Sequence, residues 1–116
     1  MTAASDLRRI DLCAAADVPP GTMKLCEVED ELVLVTNVGG QYHAAQGICS
    51  HEYFELDRGV LTGDSILCTL HLSRFSLIDG EVIDPPAELP LVVYPVVVDG
   101  GRVVIEVAAG PLEVNR

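Results

Sequence analysis

The chain has 116 residues and a mass of 12.4 kDa, which fits one ordinary domain and leaves no room for a second catalytic domain. Hydrophobic residues make up 49% and charged residues 22%, as in a typical soluble globular chain. Seven basic residues against eighteen acidic ones give a formal net charge of −11. Such a chain repels a phosphate backbone, so we expect no nucleic acid partner.

We expect neither a secretory signal nor a membrane-spanning segment. The first eleven residues, MTAASDLRRID, contain no apolar run long enough for a secretory signal. The longest apolar stretch, residues 91–98, is interrupted by Pro95 and is far shorter than the ~20 residues that span a bilayer. We therefore expect a cytoplasmic protein, in which the four cysteines are thiols or metal ligands rather than disulfides.

The predicted elements, taken in chain order, are mostly short strands. Residues 12–18 allow one helical turn before Pro19-Pro20, and the acidic run at residues 27–31 predicts a solvated strand end and turn. Hairpin connections are predicted at Gly39-Gly40, Gly63-Asp64, Asp79-Gly80 and Asp99-Gly100-Gly101. Pro90 and Pro95 bracket a strand that we place at a sheet edge or a bulge. Many β-branched residues with only 4% aromatics predict an all-β antiparallel sandwich.

Two short segments concentrate the soft metal ligands. Cys49 and His51 form a C-x-H motif, and Cys68 and His71 form a C-x-x-H motif. Each motif lies beside a turn signal, so two loop tips can present four ligands to one centre. For a single zinc ion the four are a legitimate tetrahedral set, although zinc fingers usually pair cysteine with cysteine. Mixed pairs suit a dinuclear centre better, with thiolates on one iron and imidazoles on the other.

At these residues the sequence resembles Rieske-type ferredoxins, the soluble ferredoxin components of bacterial aromatic-ring-hydroxylating dioxygenase systems. The resemblance covers residues 8–107 and includes ADVPPG at residues 16–21, GICSH at 47–51, CTLH at 68–71 and a Pro85-Pro86 turn. It implies one 2Fe-2S cluster, with Cys49 and Cys68 on one iron and His51 and His71 on the other.

The resemblance also implies a layout for the whole chain. Residues 1–116 form a single Rieske domain, in which a small cluster-binding subdomain is made of two loops, at about residues 47–58 and 66–76. A proline-containing loop at about residues 84–88 covers the cluster.

Departures from the high-potential members of the family predict a low reduction potential. Their extra loop cysteines correspond to Phe54 and Leu70 here, and their tyrosine corresponds to Phe75. We therefore place the potential near the low end of the range of about −150 to +300 mV. Ser73 opposes this trend, because it occupies the place of a serine that bonds a cluster sulfur. A bond worth ~1 kcal/mol to the reduced state raises a one-electron potential by about 40 mV.

Residues beside the loops are candidates for partner docking. The outer nitrogens of the two histidines mark the expected exit of the electron, and Tyr53, Phe54 and Leu72 flank them as an apolar docking patch.

Charged residues also flank the loops. The acidic residues Glu52, Glu55 and Asp57 either guide the chain to basic partners or only solubilise the surface. Arg58 and Arg74 either offset local negative charge or pair with Asp57 and Glu55.

Three further residues carry side chains capable of metal chemistry but lack the spacing for it. Cys13 and Cys26 each lie in an apolar stretch and are interpreted as buried packing residues. His43 has no cysteine at ligand spacing and is interpreted as a packed or surface imidazole.

The sequence thus predicts a one-electron carrier and not an enzyme. An oxygenase subunit needs a second iron site with two more histidines and a carboxylate, and three histidines cannot supply both sites. The resemblance implies transient docking to a flavin-dependent ferredoxin reductase and a terminal oxygenase, with the carrier as a monomer. Two alternatives stay open: a zinc-stabilised interaction domain, and a Rieske-type small subunit of a reductase such as nitrite reductase.

Overall fold

The computed structural model describes residues 7–115; residues 1–6, which begin the segment considered above for targeting, and residue 116 lie outside it. The described chain contains eleven β-strands, two short 3₁₀ helices (Ala15–Asp17 and Leu56–Arg58) and no α-helix. Neither described helix has the length and apolar character needed to cross a membrane. The strands are β1 Leu7–Ala14, β2 Met23–Val28, β3 Glu31–Val38, β4 Gln41–Gln46, β5 Val60–Thr62, β6 Ser65–Cys68, β7 Ser73–Ser76, β8 Val82–Asp84, β9 Val93–Tyr94, β10 Val96–Asp99 and β11 Arg102–Ala108.

The strands form three antiparallel sheets. The first has the order β1-β11-β10, the second β2-β3-β4-β9 and the third β5-β6-β7-β8. The first two sheets share their buried side chains: Ile105 of β11 packs in one cluster with Val33 of β3, and Val103 of β11 packs in another with Val35 of β3. This packing confirms the predicted all-β antiparallel sandwich.

Strand β3 connects the sandwich to the third sheet through its buried side chains. Successive residues of a strand point to opposite faces, so Val33 and Val35 enter the sandwich core while Leu34 lies on the other face. There Leu34 packs with Ile66 of β6 and Phe75 of β7. Because the middle of β3 is buried on both faces, residues 32–35 are a continuous apolar run rather than an alternating one.

The third sheet supports the subdomain that was predicted as two loops. It consists of the four strands β5 to β8, and the second predicted loop joins two of them. These strands have only three or four residues each. The hairpin connections predicted at Gly63-Asp64 and Asp79-Gly80 indicate these strands, but runs of three or four residues are too short for their pattern to show which sheet they join.

The predicted turns agree well with the structure. Each of the four glycine-containing turns joins two antiparallel strands, and the acidic turn joins β2 to β3 with Glu29 and Asp30 at positive φ. The helical turn is shorter than residues 12–18, because β1 continues through Ala14. The strand expected around Pro95 is two strands, β9 and β10, each at the edge of a different sheet.

Candidate metal centre

The first predicted loop leaves the sandwich at the end of β4. The Gly47 N–H donates to Leu32 O at 2.7 Å, and the Leu56 N–H donates back to Gly47 O at 2.8 Å. The Cys49 N–H donates to Phe54 O at 3.0 Å, which closes residues 49–54 into a tight loop. This closure places the side chains between Cys49 and Phe54 at the loop tip.

The second predicted loop connects β6 to β7. Cys68 is the last residue of β6 and pairs with Ser73 across the hairpin. The Leu72 N–H donates to Cys68 O at 2.8 Å, and Leu72 adopts a left-handed φ of 67°. The chain therefore turns sharply after Cys68 and projects His71 from the tip.

The two loops meet first through their cysteines. Cys49 is 3% and Cys68 2% exposed, both thiols are free, and their side chains are in hydrogen-bonding contact. Burial raises the pKa of the Cys68 thiol, and the neighbouring Cys49 raises it further. The backbone N–H groups of Leu70 and His71 donate to the Cys68 sulfur and act in the opposite direction. Two touching buried thiols with N–H groups directed at the sulfur form a donor set for a cationic metal centre.

The loops meet again through their histidines, nearer the surface. The rings of His51 and His71 lie edge to face, with centroids 5.2 Å apart and planes at 82°. Their side chains are 33% and 40% exposed. The Glu52 carboxylate lies against both rings, with Oε1 at 2.8 Å from Nε2 of His71 and 3.8 Å from Nε2 of His51.

A proline-containing segment closes the side of the site. The Ser50 hydroxyl donates to Leu89 O, and the Ala87 N–H donates to Ser73 Oγ at 2.9 Å. Each of the two loops thus makes one hydrogen bond to this segment. Pro86 and Leu89 of the segment line a cleft beside His51.

A buried glutamine supports the first loop from below. Gln46 donates to Ile48 O at 2.8 Å and to Asn115 O at 2.6 Å, and its Oε1 accepts from the N–H groups of Val92 and Asn115. One amide therefore connects the base of the loop to the carboxyl-terminal segment of the described chain.

The four predicted ligands form two levels, with sulfur inside and nitrogen outside. Such an arrangement fits a dinuclear iron–sulfur cluster whose two irons have different ligands. His43 is the remaining histidine, and it lies on β4 opposite Thr36, away from both loops. An all-β sandwich bearing two Cys/His loops on a small third sheet defines the class of Rieske-type iron–sulfur proteins.

The chain belongs to the Rieske [2Fe-2S] domain family, whose sequence model matches residues 8–95. It is 36% identical over 99 residues to the ferredoxin component of biphenyl 2,3-dioxygenase from Rhodococcus jostii (strain RHA1), covering 85% of this chain and 92% of that protein. It is 38% identical over 109 residues to the ferredoxin component of the alkene monooxygenase system from Xanthobacter autotrophicus (strain ATCC BAA-1158 / Py2), covering 93% and 88%.

A solved structure gives the same assignment. The chain superposes with a TM-score of 0.78 and 34% identity on a chain from a complex of reduced oxygenase and oxidized ferredoxin in carbazole 1,9a-dioxygenase, covering 90% of this chain and 97% of that one. The protein is therefore a Rieske-type electron carrier with one 2Fe-2S cluster, and not a catalytic subunit.

The predicted docking residues divide into two groups. Tyr53 and Leu72 are 71% and 63% exposed beside the histidines, whereas Phe54 is half-buried and packs on the core of the third sheet. Leu70 and Leu89 are also exposed near the loop tips and were not predicted as docking residues. Leu70 lies next to His71 in the sequence and could have been found, but Leu89 reaches the site only through the proline segment.

The charged residues also differ in part from the prediction. Arg58 lies 3.9 Å from Glu55, one of its two expected partners. Arg74 pairs instead with Asp84 at 3.0 Å, because β7 and β8 are neighbouring strands and these two residues are directly opposed. Pairing across a sheet depends on strand register, which the sequence does not reveal here.

The other two cysteines are buried in the sandwich, as predicted. Cys13 of β1 and Cys26 of β2 are in contact with each other across the two sheets. Burial raises the pKa of both thiols, that of Cys26 to about 11. Both side chains lie in the apolar cluster between the two sheets, which agrees with a packing role.

Proposed function

We propose that Cys49 and Cys68 bind one iron of the cluster, that His51 and His71 bind the other, and that the chain carries single electrons from a flavin-dependent ferredoxin reductase to a terminal ring-hydroxylating oxygenase. The observation that supports this most directly is the two-level arrangement, with touching buried thiols beneath two exposed rings 5.2 Å apart. When bound, the cluster supplies one-electron redox chemistry.

The surrounding residues have separate tasks in this proposal. Burial of Cys49 and Cys68 keeps water from the sulfur-bound side, and the N–H groups of Leu70 and His71 stabilise negative charge on the Cys68 sulfur. The two exposed imidazoles provide a short path from the buried centre to the surface. An electron can therefore leave through the histidine edge while the thiolate side stays protected.

The surface around that edge suits transient docking. We define the apolar rim as Tyr53, Leu70, Leu72 and Leu89, which are exposed around the two histidines. A small apolar patch next to the electron exit allows close approach without a large permanent interface. The complex known for the carbazole 1,9a-dioxygenase relative supports an oxygenase as the partner. The chain is about equally similar to the ferredoxin of an alkene monooxygenase system and to that of a biphenyl dioxygenase. The carrier therefore does not determine the substrate, which depends on the oxygenase.

We further propose that the chain acts in the cytoplasm as a monomer. Its four cysteines are free, which fits a reducing compartment. A shuttle must leave one partner before reaching the next, and this distinguishes it from a permanently bound reductase subunit. Size-exclusion chromatography at micromolar concentration is expected to show a single 12.4 kDa species.

Metal analysis tests the ligand assignment. The purified protein is expected to be coloured, with about two irons and two acid-labile sulfides per chain and a Rieske-type EPR signal on reduction. The double variant His51→Ala, His71→Ala is expected to lose that signal, while the control His43→Ala keeps it, because His43 lies away from both loops. A colourless protein with one zinc per chain, or an unchanged signal in the double variant, would contradict the proposal.

A further inference from the structure

One carboxylate faces the outer nitrogen of both predicted iron-binding histidines. Glu52 Oε1 is 2.8 Å from Nε2 of His71 and 3.8 Å from Nε2 of His51. Its partners among the ion pairs of residues 7–115 are these two imidazoles. Neighbouring Glu55 instead lies near Arg58. Glu52 is therefore the acidic group of this loop that contacts the site directly.

The geometry also indicates which nitrogen of His71 is available to bind iron. An imidazole that binds a metal through one nitrogen keeps its proton on the other, and that proton is commonly held by a carboxylate. Because Nε2 of His71 faces Glu52 at hydrogen-bonding distance, Nδ1 is the nitrogen available inside the site. The Nε2–H group then donates to Glu52 in a charge-assisted hydrogen bond.

We propose that Glu52 is a positioning residue that lowers the reduction potential of the centre. The inference rests on the ligand assignment of the proposed function. Accepting the Nε2–H bond makes the imidazole a stronger donor to iron, which favours the oxidised state. The negative carboxylate also opposes an added electron on the histidine-bound iron. Both effects have the same sign.

The effect is local to the histidine side of the site. The N–H groups of Leu70 and His71 act on the Cys68 sulfur and favour the reduced state. Glu52 lies on the histidine side of the site and favours the oxidised state. Its side chain is half exposed, so replacing it removes a contact without opening the core.

The experiment compares two substitutions that remove the same charge from the same loop. Glu52→Gln keeps the size of the side chain and loses the charge at the imidazoles. Asp57→Asn loses an equal charge from the exposed 3₁₀ helix Leu56–Arg58. Midpoint potentials of the cluster-loaded proteins are measured by optical redox titration at one neutral pH, in low and high salt.

The Glu52→Gln potential is expected to rise by the equivalent of roughly three- to tenfold in the equilibrium constant for reduction, where tenfold is about 59 mV for one electron. Most of this rise is expected to persist in high salt, because the contact is direct. Asp57→Asn is expected to leave the potential unchanged. Equal shifts in the two variants, or no shift in Glu52→Gln, would overturn the proposal.

A second variant separates the hydrogen bond from the charge. Glu52→Asp keeps the charge but shortens the side chain, so its potential is expected between those of the parent and Glu52→Gln; a value equal to the parent's would argue against the hydrogen bond. The EPR signal of the reduced Glu52 variants is expected to shift, while that of Asp57→Asn does not. Absence of two irons in the unaltered protein would refute the ligand assignment itself, so the two failures are distinguishable.

Discussion

At the scale of single residues, Ser73 illustrates how a buried polar side chain can serve two elements. Its side chain is fully buried, and Oγ accepts the Ala87 N–H at 2.9 Å, which fastens the proline segment to the second loop. This contact uses a lone pair and leaves the hydroxyl proton to donate. The family resemblance predicts that this proton bonds a cluster sulfur, and the acceptor contact is compatible with that role.

Replacing this serine is expected to have two measurable effects. Ser73→Ala leaves the buried Ala87 N–H without its acceptor, which costs about 1–3 kcal/mol and is measurable by denaturant unfolding. The midpoint potential is expected to fall by about 40 mV if the hydroxyl bonds a cluster sulfur. Ser76→Ala is the matched control, because Ser76 accepts an exposed Ile78 N–H. An equal loss of stability in the two variants would contradict the structural role, and an unchanged potential would remove the sulfur bond.

The sequence predicted that the two Cys/His motifs lie together, and the structure brings Cys49 to Cys68 and His51 to His71; their role as ligands is the proposal made above. The contact of Glu52 with the rings was not predictable. Its direction depends on how the loop closes between Cys49 and Phe54, and that closure is a backbone hydrogen bond with no sequence signature. From the sequence, Glu52 was therefore predicted only as a charge that guides partners or solubilises the surface.

At the scale of elements, turn chemistry was the most informative signal. Turn residues located the hairpins correctly, since glycine and aspartate tolerate the positive φ angles that such turns require; Glu29 adopts one without that preference. Strand lengths and sheet membership were less predictable. The short strands of the third sheet are stabilised by packing on Leu34 of β3, a tertiary effect that no local pattern reveals.

Gly80 provides a test of how the elements fit together. It adopts a φ of 80°, and its O accepts the Leu91 N–H at 2.8 Å, which joins the β7–β8 turn to the end of the proline segment. A Cβ at this position would lie 1.9 Å from Leu91 O. Gly80→Ala is therefore expected to lower the free energy of unfolding by more than about 2 kcal/mol, measured by denaturant unfolding.

Gly63→Ala is the control for the backbone angle alone. Gly63 has a similar positive φ of 57°, but an added Cβ there meets open space. This variant is expected to lose only the left-handed penalty of about 1–2 kcal/mol. A smaller loss in Gly80→Ala than in Gly63→Ala would show that the segment does not depend on this close approach.

At the scale of the whole molecule, a strong negative charge and a small apolar rim have different roles in docking. The net charge of −11 acts over a distance set by the salt concentration, about 10 Å at 0.1 M and about 3 Å at 1 M. The apolar rim acts only on contact. Charge should therefore govern the rate of encounter with a basic partner, and the rim should govern the lifetime of the complex.

Electron transfer to an oxygenase is expected to separate these contributions. With the terminal oxygenase of biphenyl 2,3-dioxygenase as acceptor, the rate of reoxidation in stopped flow should fall as salt is raised. Leu72→Asp should slow the reaction by about tenfold, equivalent to ~1.4 kcal/mol at the contact. Ile78→Asp adds the same charge at an exposed position outside the rim and serves as control. Equal rates in the two variants, or a rate that rises with salt, would contradict this division.

The carboxyl-terminal segment held by Gln46 shows where a shortened version of this protein can safely stop. The family match ends at residue 95, yet β11 is the central strand of the first sheet, and Asn115 occupies two of the hydrogen bonds of an amide that also supports Ile48. A fragment trimmed to the matched region would lose the middle of one sheet and leave that buried amide partly unsatisfied directly beneath Cys49. For protein engineering, a shortened version of this chain therefore has to extend at least to residue 115.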